Sequence, residues 1–178
     1  SAPNDWSVND WPLPYEQRLE ARASSAIDLV VIHCTETPDL ASARALGEQV
    51  RYPDSGTGNS GHYYIDRDGS VHVFVRPQRT AHHVRGHNPR SVGIELVNTG
   101  RYPHWYDSRH QAMAEAYTEA QLLALETLLA RLREELPSLA YIAGHEDLDR
   151  EQVPASDDPT VTIARKVDPG PLFPWPRI

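Results

Sequence analysis

The sequence predicts a single α/β domain in which helices flank a central mixed β-sheet. Three observations carry that expectation. Short apolar, β-branched runs occur at 27–33 (IDLVVIH) and 91–97 (SVGIELV), the pattern of buried strands. Between them, HYYIDRDGSVHVFV over 62–75 gives two alternating runs joined through Asp-Gly, a hairpin signal because the tight turn needs a positive φ. Over 118–136, Leu122, Leu125, Leu129, Leu132 and Leu136 share one helical face behind a Thr118/Gln121 capping box.

The remaining segments follow in chain order. Residues 1–24 are polar, with Trp6, Trp11, Pro12, Pro14 and Tyr15 set among charges; they read as an irregular N-terminal arm packing by its aromatics on a domain of residues 25–178. After the first strand, Pro38 opens a helix over 39–50, which the Tyr-Pro-Asp-Ser-Gly cluster at 52–56 stops. Residues 98–117, rich in Arg, His and Tyr, read as a loop with a short helical piece near its end. A short strand at 141–143 precedes loop residues and a proline-rich tail, DPGPLFPWP.

Composition narrows the function classes. A chain of 178 residues with 39% apolar and 24% charged residues suits one globular domain. Its uninterrupted apolar runs reach about four residues, far short of a transmembrane helix. A net charge of −8 repels phosphate, and no basic patch offsets it, so no nucleic-acid partner is expected. Nine histidines stand out, because imidazole is a common metal ligand. Lys166 is the only lysine among 17 basic residues, and lysine, unlike arginine, can give up its proton. The single Cys34 cannot form an internal disulfide and leaves the compartment unread.

Three residues could build a metal site. His33 ends the first strand, His145 follows the 141–143 strand in Ala-Gly-His-Glu-Asp, and Asp168 lies in Lys-Val-Asp-Pro-Gly. Two histidines, one carboxylate and an open fourth position make the catalytic form of a zinc site. Each residue also suits a plainer role, as a hydrogen-bonded packing histidine or a turn aspartate, and no His-Glu-x-x-His helix is present. The residues by themselves leave both readings open.

Taken in order, VIHCTET, GHYYIDRDGSVHVFV, TAHH, NPRSVGIELVN, AGHEDLDR and KVDPGPLFPW resemble the N-acetylmuramoyl-L-alanine amidase type 2 family, which includes AmpD-like amidases, phage amidases and peptidoglycan recognition proteins. The resemblance runs from about residue 29 to 175. It implies a Zn2+ site at the sheet edge held by His33, His145 and Asp168, with the aspartate form of the third ligand resembling the AmpD-like branch. It further implies Glu95 as general base and Lys166 as the group that stabilises the oxyanion. The substrate implied is peptidoglycan or a muropeptide, cut between N-acetylmuramic acid and L-alanine.

By the same resemblance His62 and His83 lie beside the cleft, touching substrate or bonding its walls. Residue type alone makes Arg51, Arg85 and Arg90 candidates for gripping the peptide's carboxylates. The groove is expected between loops 51–61, 79–90 and 98–117. The segment 146–165 is longer and more acidic than the corresponding AmpD-like loop and reads as a mobile lid. Two alternatives stand beside the amidase: a recognition module that binds peptidoglycan without cutting it, and a zinc hydrolase of the same fold acting on another amide. A wall substrate and an opening Ser-Ala-Pro-Asn without initiator methionine point to a periplasmic or extracellular setting, with the cytoplasm as the alternative.

Overall fold

The computed structural model describes residues 7–178; Trp6 of the expected arm lies outside them. The two most apolar runs become its central strands. β2 (Leu29–Cys34) and β5 (Ser91–Leu96) pair parallel, in register from Leu29↔Ser91 to Cys34↔Leu96. Around them β1 (Val8–Asp10), β3 (Tyr63–Ile65), β4 (Val71–Val73) and β6 (Tyr141–Gly144) complete a six-stranded sheet in the order β1-β4-β3-β5-β2-β6. Only the β3–β4 hairpin is antiparallel, so the sheet is mixed. Its turn places Gly69 at φ +86°, the conformation that the Asp-Gly signal demands.

Each face of the sheet has its own cover. α2 (Glu119–Glu135) begins at the Thr118/Gln121 capping box and lays Leu122, Leu125, Leu128 and Leu132 onto Val30, Ile32, Ile94 and Leu96. Leu128 takes the central place expected of Leu129, which is only partly buried. The other face is shared. Over β3 and β4 it carries Leu13, Tyr15, Leu19 and α1 (Leu40–Glu48), packed with Tyr64 and Phe74; over the ends of β5 and β2 it opens into a cleft. α1 starts at Asp39, whose side chain accepts from the Ser42 amide.

Three segments differ from expectation. The arm is not wholly irregular: residues 8–10 form β1, parallel to β4, and Leu13 and Tyr15 are core residues. Three residues at a sheet edge are too few for a periodic signal. The 98–117 segment has turns but no helix; side-chain bonds hold it, such as those of Glu115 to Arg67 and Thr99. The 146–165 segment carries regular structure in place of a bare lid: α3 (His145–Leu148), then a hairpin of β7 (Gln152–Pro154) and β8 (Thr162–Ala164).

Candidate metal centre and cleft

Strand alternation sends every second residue of β2 to the cleft side. Val30, Ile32 and Cys34 enter the core under α2, which leaves His33 on the opposite face. Register then places Glu95 beside it, because His33 of β2 pairs with Glu95 of β5, and Tyr64 of β3 pairs with Glu95 in turn. On the other side β6 ends at Gly144, opposite Ile32, and delivers His145 as the first residue of α3. Asp168 reaches the same point from the C-terminal segment, where its carbonyl accepts from the Glu146 amide at 2.9 Å. Gly144 permits that approach: a Cβ there would lie 2.9 Å from Pro169 Cδ.

The three side chains converge. Asp168 Oδ2 lies 2.9 Å from His33 Nδ1 and 3.2 Å from His145 Nδ1. All three donor atoms fall within 4.8 Å of one another, and each residue is buried. Burial depresses the His33 imidazole to about 4 against the opposing pull of Asp168, so its ring is neutral near pH 7 and keeps a lone pair. Burial works to raise the Asp168 carboxyl, but the neighbouring His145 and His33 outweigh it and hold the group well below its usual range. Among the described residues no arginine or lysine pairs with Asp168. A buried carboxylate whose partners are two imidazoles lacks a full counter-charge, and this set of two nitrogens and one oxygen fits a divalent metal ion with an open position.

Glu95 stands next to the trio. Its Oε1 is 3.8 Å from His33 Nδ1, and its Oε2 is buried without a hydrogen-bond partner. Burial, reinforced by the Asp168 charge and opposed by Lys166, raises its pKa well above the usual carboxylate range. Gly61 makes room for it, since a Cβ at that position would meet Glu95 Cγ at 2.9 Å. Lys166 lines the same cleft, which has a volume of about 570 Å³, within the range of small-ligand sites.

A family model described as N-acetylmuramoyl-L-alanine amidase matches residues 23–171. The chain belongs to this family. It is 27% identical over 129 residues to an endolysin of Klebsiella phage KP32, covering 72% of this chain and 80% of the endolysin. It is 30% identical over 127 residues to the 1,6-anhydro-N-acetylmuramyl-L-alanine amidase AmpD of Salmonella typhimurium, covering 66% of this chain and 54% of AmpD. Among solved structures, the amidase AmiD of E. coli, in complex with anhydro-N-acetylmuramic acid-L-Ala-D-γ-Glu-L-Lys, shares the fold. Its TM-score is 0.63 at 24% identity, covering 85% of this chain and 56% of AmiD.

The cleft separates the other expected residues. His83 lines it, with Nδ1 at 2.8 Å from His33 Nε2 and Nε2 at 3.0 Å from Ser91 Oγ, so it braces the His33 ring. Gly93 admits that ring, because a Cβ there would lie 2.6 Å from His83 Nδ1. His62 does not reach the cleft. It is wholly buried, accepts from the Gly93 amide at 3.0 Å and lies 2.9 Å from the Arg79 carbonyl, and burial lowers its pKa to about 3. Arg51 and Arg85 line the cleft, Arg85 while paired with Glu151 at 2.7 Å. Arg90 is withdrawn from it, because both its hydrogen bonds go to the Asp28 carboxylate.

Sequence reasoning passed over a buried ion pair. Glu36, two residues beyond β2, is buried with Arg101 of the 98–117 segment, and the two are bound at 2.8 and 2.9 Å. The Trp105 indole N–H donates to the Glu36 carbonyl at 2.8 Å, bringing an aromatic ring to the cleft wall. Nothing in Thr-Glu-Thr or in a polar loop marks such a partnership.

Proposed function

We propose that the chain is a zinc-dependent amidase that hydrolyses the bond between N-acetylmuramic acid and the L-alanine of peptidoglycan or muropeptides. The observation that carries this reading is the buried convergence of His33, His145 and Asp168 beside the unpartnered Glu95 oxygen. His33, His145 and Asp168 would hold the zinc, which when bound supplies Lewis acidity and lowers the pKa of water. Glu95 accepts a proton from the attacking water through Oε2 and returns it to the departing L-alanine nitrogen. A carboxyl whose pKa burial has raised serves both halves of that exchange. Lys166, the only lysine, donates to the carbonyl oxygen as negative charge develops there. Arg51, which lines the cleft with no ion pair among the described residues, would meet a stem-peptide carboxylate.

The test is to incubate zinc-loaded protein with purified sacculi and with defined muropeptides, and to identify products by mass spectrometry beside a chelated control. Release of peptides beginning at L-alanine, abolished by chelation and restored by zinc, is expected. The ratio between the two substrates then tells wall cleavage from muropeptide turnover. Binding of either substrate without cleavage would mean a recognition module, and indifference to both would mean a hydrolase of another amide.

A further inference from the structure

We propose that Arg101 is a positioning residue that sets Lys166 in the cleft. The proposal rests on the amidase reading, in which Lys166 acts on the carbonyl oxygen, and assigns a cause to the place that lysine takes. Among the described residues Lys166 forms no ion pair, so its location follows from the backbone that carries it. Arg101 grips that backbone directly: Nη1 donates to the Ala164 carbonyl at 3.0 Å and Nη2 to the Arg165 carbonyl at 3.2 Å, the two residues before Lys166.

The other donors of the same guanidinium face the strand end. Nε donates to Glu36 Oε2 at 2.8 Å and Nη2 to Glu36 Oε1 at 2.9 Å, while Nη1 also reaches Gln111 Oε1 at 3.0 Å. The Arg101 backbone amide donates to Glu36 Oε2 as well, at 2.9 Å. Glu36 follows His33 by three residues, so one planar fork ties the strand that bears a metal ligand to the segment that bears the lysine. Lysine could not replace it, having a single nitrogen and no fork.

The local backbone is shaped around this contact. Glu36 holds φ at +51°, an uncommon conformation for a residue other than glycine, asparagine or aspartate. Gly100 has φ +54°, and a Cβ there would meet Glu36 Cγ at 2.4 Å. The segment has a second anchor in the ion pair of Arg165 with Asp149, but that pair lies within 146–166 and cannot fix the segment against β2. Two buried links do so: Arg101, on the residues just before Lys166, and the 2.9 Å contact of Asp168 with His33, just after it. Of the two, only Arg101 bonds the backbone that leads into the lysine.

Two measurements test this, one of them without catalysis. In Arg101→Lys, confirmed folded and zinc-loaded, kcat on a defined muropeptide is expected to fall about 10–100-fold with KM within about threefold, since a misplaced group loses its transition-state contact. Combined with Lys166→Met, it is expected to add no further loss. Because Lys166 is the only lysine, reductive 13C-dimethylation of the wild type gives one side-chain resonance besides the α-amine. In Glu36→Gln/Arg101→Gln, which removes both buried charges together, that resonance is expected to sharpen and shift toward free dimethyl-lysine. An unchanged Lys166 resonance, or losses that multiply in the Arg101→Lys/Lys166→Met double variant, would overturn the proposal. Should no variant or wild type cleave any muropeptide, a shifted resonance still upholds the positioning role while the amidase reading fails.

Discussion

The two sides of the cleft are built by different forces. On one side, His33 and Glu95 ride on β2 and β5, whose alternate residues are locked into an apolar core under α2. On the other, Lys166, Trp105 and Arg165 belong to segments outside the main sheet, held by arginines that bind carboxylates and carbonyls and by the Trp105 indole on the Glu36 carbonyl. The strand side draws its rigidity from area removed from water. The segment side draws it from charged hydrogen bonds, which are directional but weaker where solvent reaches them. Of the groups that would hold the metal and move the proton, His33 and Glu95 sit on the first side, while His145 and Asp168 come to them from α3 and the C-terminal segment.

That division can be broken or sharpened by substitution. The largest effect is expected from Glu95→Gln, which keeps shape and neighbours but removes the base. We expect kcat to fall about 10²–10⁴-fold with zinc content and melting temperature unchanged; a fall in zinc content alongside would make Glu95 a ligand instead. Next comes Leu125→Ala in the core under α2, expected to cost about 2–5 kcal/mol by urea unfolding. Gly93→Ala drives a methyl group into the His83 ring at 2.6–2.9 Å, with an expected cost of about 1–3 kcal/mol and weaker zinc affinity, since His83 braces His33. Unchanged zinc affinity in that variant would show the brace to be idle.

The smallest effect belongs to the segment side. Glu115, whose side chain is 27% exposed, is held by Arg67, and that bond lowers its pKa from 4.5 to about 2. A depressed carboxylate contributes stability above its unfolded pKa and loses it as pH falls through the folded one. Glu115→Gln should therefore cost about 1 kcal/mol near neutral pH, and the difference from wild type should shrink steadily between pH 4.5 and about 2. A constant difference across that window, measured by thermal unfolding, would mean that the Arg67 pair contributes nothing.

The same division governs what the sequence made legible. β2, β5 and α2 follow from β-branched runs and leucine spacing because apolar burial leaves a period in the chain. For His33, His145 and Asp168 the neighbouring strands and the proline turn leave a packing or turn role open, and it is the family resemblance that singles them out as ligands. The 98–117 and 146–165 segments were opaque, since Glu36 and Arg101 stand 65 residues apart and a charge pair leaves no periodic trace. Arg90 shows the converse error. Residue type suggested a substrate grip, but the Asp28 carboxylate had already engaged it. Of the two roles expected of His62, touching substrate or bonding the cleft walls, its buried position behind the cleft leaves the second, through the Gly93 amide.

The most direct measurement is zinc binding itself, by competition with a chromophoric chelator, on the wild type and on Asp168→Asn. The account predicts one tightly bound zinc per chain in the wild type and at least a hundredfold weaker binding in the variant, whose neutral amide no longer supplies the buried negative charge. A wild type that binds no zinc, or a variant that binds it as tightly, would contradict the claim that His33, His145 and Asp168 form the centre of this cleft.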